Sequence, residues 1–275
     1  MKAVNFKYAR PGDVSAAIAL ADNADANVKL IAGGQSLGPM LNLRLVQPDL
    51  LVDITSIPDL KRFEQKGDVL FIGSCITHAD IEDGRVPDVT AGAMRAVAAG
   101  IAYRAVRNRG TIGGSLVHAD PSADWISALA VLGAQAVIYG PNGERRIPVE
   151  TFVTGVFECD LDASEILAGV EVRRVSRFAR WGYYKHCRKT GEFAHAIGAF
   201  FNDPESSVCR AVIGATGSRP IVFVDAANML GGKPEGAIDR HVVEHAMGAH
   251  GMTDPIDQQI HFVCLRRAIE QARRQ

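Results

Sequence analysis

The sequence predicts an α+β fold built in layers, and three observations carry that prediction. Strand-like and helix-like stretches interleave without the regular spacing of βαβ units, which argues against a doubly wound sheet. The texture of the chain changes at about Ser176, where a second domain is expected to begin. The 275 residues are 47% hydrophobic, enough to fill the cores of roughly two domains.

The elements follow in order. PGDVSAAIALADNA (11–24) opens with turn formers, offers Asp13 or Ser15 as N-cap, and spaces Val14, Ile18 and Ala21 along one helical face. VKLIAGG (28–34) is expected as a short buried strand ending in glycine. PDLLVDIT (48–55) and DVLFIGSCIT (68–77) read as further strands, with Lys66-Gly67-Asp68 as a turn. THADIEDGRVPD then changes character, and the alanine-rich VTAGAMRAVAAGIAYRAV (89–106) reads as helix. DWISALAVLGA (124–134) is another helix, QAVIYGPNGERRIPV (135–149) a hairpin turned by Pro141-Asn142-Gly143, and ILAGVEVRR (166–174) a strand. Beyond Ser176, RWGYYKHCRKTGEFAHAIGAFFNDP (180–204) suggests two strands around a basic loop. SSVCRAVIGATG (206–217) adds one more strand, and the remainder is mostly helix.

Charge and composition exclude several function classes. Thirty basic against thirty-one acidic side chains leave a formal charge of −1, so nothing invites nucleic acid or an anionic membrane surface. MKAVNFKYARPGD has no apolar segment behind its lysine, and no apolar run reaches about 18 residues, so a cytoplasmic protein without an integral membrane segment is expected. Cys75, Cys159, Cys187, Cys209 and Cys264 are odd in number and never spaced C-x-x-C, which speaks for free thiols rather than disulfides or a metal cradle.

The chemistry concentrates in two glycine pairs, each followed by serine: AGGQSL (32–37) and TIGGSL (111–116). A Gly-Gly pair at a strand end reaches conformations closed to other residues and lets successive N–H groups approach an anion. Ser36 and Ser115 stand where a hydroxyl can donate to the same oxygen. Two such cradles suit a pyrophosphate. Neither G-x-G-x-x-G nor G-x-x-x-x-G-K-[ST] occurs in these stretches, so Rossmann and P-loop readings have no support.

LIAGGQSLGPMLNLRLVQPDLLVDI, VRNRGTIGGSLVHADPSAD, GERRIPVETF and YYKHCRKTGEFA, in this order and across nearly the whole chain, resemble the FAD-binding medium subunits of the molybdenum hydroxylases. That family includes xanthine dehydrogenase, carbon monoxide dehydrogenase and bacterial N-heteroaromatic hydroxylases. The resemblance implies a p-cresol methylhydroxylase-type FAD-binding fold over residues 1–175, with two α/β subdomains (about 1–55 and 56–175) and FAD extended between them. A C-terminal antiparallel sheet with helices would occupy 176–275.

It also implies noncovalent FAD. Lys29, Leu30, Ile31, Ala32, Gly33, Gly34, Gln35 and Ser36 would wrap the pyrophosphate from one subdomain, and Thr111, Ile112, Gly113, Gly114 and Ser115 would meet it from the other. Asp124 matches an acidic residue on the ribityl–ribose side, Ile101 a position near the isoalloxazine, and Leu167 a backbone contact near the ring. Lys185 matches a lysine at the flavin's polar edge, where reduction builds negative charge. Read on their own residues, Asp124 equally suits a cap for the DWISALA helix, Lys185 a surface lysine, and Arg107, Arg109 and Arg188 solvated or subunit-facing charges. His118 is expected to orient the second glycine loop through a ring N–H.

The implied complex has a large subunit with molybdenum-cytosine dinucleotide, which oxidises the substrate, and a small subunit with two 2Fe–2S clusters, in a dimer of heterotrimers. This chain would be the electron exit, with no catalytic acid, base or nucleophile of its own. The substrate class implied is an aromatic N-heterocycle, with carbon monoxide as the alternative. The scattered cysteines argue against the benzoyl-CoA reductase variant, which adds an iron–sulfur cluster to this subunit. A rival of another class is a zinc hydrolase using HVVEH (241–245), which fits H-x-x-E-H; a polar stripe of His241 and His245 on a surface helix is the plainer reading. A flavin-free assembly subunit would show broken glycine cradles, and both are intact. Three departures from the family pattern are Glu192 in place of aspartate, Asn202-Asp203-Pro204 cutting short an apolar strand, and a tail, HFVCLRRAIEQA, lacking part of the usual basic pattern.

Overall fold

A computed structural model describes residues 2–23 and 25–275; Met1 and Ala24, the last residue of the 11–24 stretch, lie outside the described residues. The chain begins with β1 (Lys7–Ala9), α1 (Val14–Ala21), β2 (Val28–Ile31), α2 (Leu37–Asn42) and β3 (Leu50–Asp53). The three strands form a parallel sheet in the order β1-β3-β2. Asp13, not Ser15, caps α1: its carboxylate accepts from the Ala16 amide at 2.8 Å. Val14 and Ala17 of α1 pack on Val52 and Ile54. The expectation of a buried β2 is corrected: it is an edge strand, with Val28, Leu30 and Ile31 half-buried and Lys29 exposed.

The next segment comprises β4 (Phe63–Lys66), β5 (Val69–Gly73), α3 (His78–Glu82), α4 (Ala93–Gly100), α5 (Arg104–Arg107), α6 (Ile112–His118), α7 (Asp124–Val131), β6 (Gln135–Gly140) and β7 (Gly143–Pro148). It continues through α8 (Val149–Phe152), the short hairpin β8 (Val153–Gly155) and β9 (Glu158–Cys159), and β10 (Ile166–Arg173). An antiparallel sheet runs in the order β4-β5-β10-β6-β7. Ile72, Ile138, Val170 and Val172 from this sheet are buried against Ile112, Leu116, Trp125 and Leu129.

The stretch 89–106 is not one helix. It breaks after Gly100 because Ala102 takes a left-handed conformation (φ 42°) and the carbonyls at the break find other partners. The Arg107 guanidinium donates to the Ile101 and Ala102 carbonyls at 3.0 and 3.1 Å, and Lys185 donates to that of Gly100 at 3.0 Å. Helix-end carbonyls need such partners when the intrahelical ladder stops.

The C-terminal segment contains β11 (Arg180–His186), β12 (Ala196–Asp203), β13 (Val208–Gly214), β14 (Ile221–Phe223), α9 (Arg240–Ala249) and α10 (Pro255–Arg273). The antiparallel order is β11-β12-β13-β14. The short β14 was not anticipated. Asp203, where Asn202-Asp203-Pro204 ends β12, is buried and accepts from the Ser176 amide at 2.8 Å and the Ser176 hydroxyl at 2.6 Å. The departure from an apolar strand therefore anchors the junction at Ser176.

Leu265, Ala268, Ile269 and Ala272 of α10 bury against the core beside Phe200 and Ile213. In another cluster, Ala130 and Val131 of α7 meet Ala199, Phe201 and Val212. All eight residues of α7 are buried, so this helix joins the five-stranded and four-stranded sheets. Among the described residues no helix is long and apolar enough to cross a membrane.

Candidate functional site

After β2 the chain turns through residues 32–36 into α2. Among the described residues the amides of Gly33, Gly34, Gln35 and Ser36 donate to no group of the chain. Gly34 has φ 69°, a region that glycine enters without the Cβ penalty. The Gln35 side chain braces the turn by donating to the Gly33 carbonyl at 3.0 Å. Ser36 stands at the N-cap of α2 without a side-chain cap bond, so its hydroxyl is uncommitted. A run of free amides in a tight turn forms a concave, partly positive surface for an anion.

The second glycine pair is built differently from a strand-end turn. Gly113 and Gly114 lie in the first turn of α6, whose N-cap, Thr111, accepts from the Gly114 amide at 3.0 Å. The Ile112 amide donates to the Ile76 carbonyl and the Gly113 amide to that of Ser74, each at 3.0 Å. These amides are committed, so the pair contributes absent side chains rather than free donors. A Cβ on Gly113 would lie 2.7 Å from the Ser74 Cα, which fixes glycine there by packing on the end of β5.

The fold brings the two turns into contact. A Cβ on Gly33 would overlap the Arg109 carbonyl oxygen and stand 2.8 Å from the Gly110 Cα. Across the same seam, a Cβ on Gly114 would lie 3.7 Å from that of Ala32. Beneath it, the Ser74 amide donates to the Ala168 carbonyl at 2.8 Å, tying β10 to the loop that receives Gly113. Leu167 is buried there in the cluster holding Ile112 and Leu116. Leu30 packs into the first core, and the side chain of Ile31 lies 3.2 Å from the Cβ position of Gly34. The exposed Lys29 has no ion pair among the described residues.

A second polar cluster lies at the start of α7. Asp124 is the first helical residue and Ala123 the N-cap, so the capping role is corrected: the carboxylate has other partners. Its Oδ1 accepts from the Tyr183 hydroxyl at 2.8 Å and its Oδ2 from Lys185 Nζ at 3.0 Å. The Asp124 and Lys185 side chains are only 9% and 11% exposed, so Lys185 is no surface lysine. Burial pushes the Asp124 carboxyl above its ordinary value, while Lys185 and then Tyr183 oppose that rise. Burial, followed by the Asp124 charge, pushes the Tyr183 hydroxyl well up. Through the Gly100 carbonyl, Lys185 reaches the break that carries Ile101, so Ile101, Asp124 and Lys185 share one neighbourhood. Tyr183 was missed from sequence. Its signal was the two-residue spacing to Lys185, which puts both side chains on one face of a strand.

Arg107 is also committed rather than solvated: it grips both oxygens of Glu82, at 2.8 and 2.9 Å, as well as the Ile101 and Ala102 carbonyls. Arg188 pairs with Glu192, the residue that stands for the family's aspartate, at 3.2 Å. Arg109 is exposed. The His118 ring lies 5.1 Å from that of Phe157; no ring hydrogen bond to the glycine loop is formed among the described residues, which corrects its expected role. Burial pushes the Cys75, Cys159, Cys209 and Cys264 thiols up to about 11. His241 and His245 are exposed on α9, and Glu244 is paired with Arg240 at 2.6 Å. Among the described residues no group of three or more His, Cys, Asp or Glu side chains is placed to hold a metal ion.

Behind the second turn, the Trp125 indole donates to His78 Nδ1 at 3.0 Å. An indole can only donate, so the imidazole is neutral there. Burial, and then Arg107, pushes the His78 pKa from 6.5 down to about 4. The unfolded chain takes this proton near pH 6.5 and the folded chain only near 4, so stability falls as pH drops through that window. The expected loss is about 3 kcal/mol, readable by urea unfolding at several pH values. His78→Gln should flatten that part of the profile, and an unchanged profile would place the acid sensitivity elsewhere.

Residues 4–173 match the family model described as the FAD binding domain in molybdopterin dehydrogenase. The carbon monoxide dehydrogenase medium chain of Hydrogenophaga pseudoflava is 35% identical over 191 residues, covering 70% of this chain and 67% of that one. The nicotine 6-hydroxylase medium subunit of Paenarthrobacter nicotinovorans is 34% identical over 235 residues, 84% of this chain and 82% of its own. Among solved structures, the carbon monoxide dehydrogenase of H. pseudoflava lacking the Mo-pyranopterin moiety of its cofactor superposes with a TM-score of 0.89. Its identity is 29%, over 100% of this chain and 99% of the matched one.

Proposed function

The chain belongs to the family of FAD-binding domains of molybdopterin dehydrogenases, and from that premise we propose that the seam between its two glycine turns, with the Asp124–Lys185 cluster, holds one FAD. It is the flavoprotein component of a molybdenum-containing oxidoreductase, with the α+β FAD-binding fold of that family. The observation that carries the site is the run of uncommitted amides from Gly33 to Ser36, packed against a second turn kept free of side chains. That surface fits a pyrophosphate, which offers oxygens and no donors.

In this reading the turn amides and the Ser36 and Ser115 hydroxyls take the phosphate oxygens. Asp124 accepts from the cofactor's hydroxyls, and Lys185 stands at the flavin's polar edge. Ile101 and Leu167 shape the apolar side. When bound, FAD links one-electron and two-electron transfer. The chain's own residues bind, orient and exclude water, and no side-chain acid, base or nucleophile is required. Residues 1–55 and 56–175 are the two halves that close on the cofactor, and 176–275 supplies Lys185 from β11.

The partners in this reading are a small subunit with 2Fe–2S clusters, which delivers electrons, and a large subunit with molybdenum-cytosine dinucleotide, arranged as a dimer of heterotrimers in the cytoplasm. The external acceptor is oxygen, NAD or a membrane-linked carrier. An aromatic N-heterocycle is the proposed substrate class, supported by the nicotine 6-hydroxylase relative. The carbon monoxide dehydrogenase relative supports carbon monoxide as the second reading.

The test is purification with whatever chains accompany this one, followed by a visible spectrum, metal analysis and acid treatment. A flavin spectrum released into the supernatant by acid is the expected result. Bound zinc without flavin would sink the proposal and return attention to HVVEH.

A further inference from the structure

Tyr183 is assigned no role in the proposed FAD site, yet its hydroxyl hydrogen-bonds directly to Asp124, a residue of that site. It stands two residues before Lys185 on β11, so the two side chains leave the strand on the same face. Each takes one oxygen of the Asp124 carboxylate, Tyr183 at 2.8 Å and Lys185 at 3.0 Å. The Tyr183 amide is held by Gln271 of α10 at 3.1 Å, and the side chain packs against the cluster that contains Trp125 and Leu129. Its position is therefore fixed from both layers that meet at α7.

We propose that Tyr183 is a positioning residue for the flavin: its hydroxyl, seated on Asp124, sets the orientation and charge that the Asp124–Lys185 pair presents to the cofactor. The inference rests on the reading that this pair lies at the FAD site. Among the described residues the Tyr183 hydroxyl from β11 and the Gly100 carbonyl from α4 are the groups that hydrogen-bond to the side chains of the pair. A hydroxyl donating to a carboxylate favours its charged form. Burial works in the opposite sense on Asp124, so the tyrosine holds a balance that burial would otherwise tip toward the neutral acid. With Asp124 ionised the pair has no net charge; with Asp124 protonated, Lys185 leaves a net positive site. A net positive site beside the flavin favours the reduced, more negative cofactor. A free carboxylate oxygen also no longer has a fixed direction toward the cofactor's hydroxyls.

The decisive variant is Tyr183→Phe, which keeps the ring and removes the hydroxyl, studied in the complex as purified with its partner chains and in the full-length chain stripped of flavin. FAD affinity is expected to weaken roughly tenfold, as for the loss of one hydrogen bond to a charged group. The flavin midpoint potential, measured by dye equilibration, is expected to move in the positive direction. Asp124→Asn should move the potential the same way, and the double variant should move it no further than the larger single shift. A potential in Tyr183→Phe equal to that of the unaltered protein overturns the proposal, as do shifts that add in the double variant. Should Tyr183→Phe fail to fold, an unmoved potential in Asp124→Asn overturns it equally. An unaltered protein that holds no flavin would instead overturn the FAD reading itself.

Discussion

Gly33→Ala is expected to weaken FAD binding by roughly ten- to a hundredfold while leaving a folded chain. The added methyl lands on the Arg109 carbonyl and 2.8 Å from the Gly110 Cα, so it meets backbone on the opposing turn rather than a side chain that can rotate away. Relief requires the two turns to separate. Overpacking at such a contact costs about 1–3 kcal/mol, and here the strain falls on the seam itself. Separation would carry the free amides of Gly33 to Ser36 away from the second turn, the arrangement that the pyrophosphate needs. Gly12→Ala is the control, because a Cβ there meets nothing within 4 Å. Titration of the flavin-free chain, followed by flavin fluorescence, reads the difference. Equal dissociation constants for Gly33→Ala and Gly12→Ala would show that the seam is not the phosphate site.

What the sequence made legible is local. Gly33-Gly34 after an apolar strand, Asp13 before VSAAIALA and Pro141-Asn142-Gly143 between two strands each specify their conformation with the residues present, and the structure has those elements. Long-range partners govern the misreadings. Residues 89–106 have the composition of one helix, but the break after Gly100 is held by Arg107, Lys185 and, through Arg107, Glu82. No window of the sequence contains all of them. Lys29 and its neighbours read as a buried strand because burial was inferred from apolar content, whereas strand order leaves β2 at an edge. Thr111 was a visible cap signal for α6, overshadowed by the glycine pair that follows it. Asp124 suited a cap for its own helix but does not take that role, and its partners arrive on a strand about 60 residues later.

That late-arriving strand also determines the largest expected loss of stability. Asp124→Ala would leave the Lys185 ammonium in a site where its side chain is 11% exposed, with the Gly100 carbonyl as its remaining partner, and would deprive the buried Tyr183 hydroxyl of its acceptor. Breaking one side of a buried pair costs about 3–5 kcal/mol, because the uncompensated charge remains. Replacing both charges, Asp124→Leu with Lys185→Met, should recover most of that loss, since an apolar pair of similar volume is often neutral or stabilising. Flavin affinity should behave differently. If the pair serves the cofactor, the double variant regains stability in urea unfolding yet still binds FAD poorly. Recovery of both would make the pair a fastening between α7 and β11 and nothing more. Equal destabilisation of the single and double variants would instead show that the loss comes from packing around α7 rather than from a stranded charge. Stability and affinity measured on the same three proteins thus separate two roles of one carboxylate: the fastening of α7 to β11 that its hydrogen bonds show, and the proposed role toward the flavin.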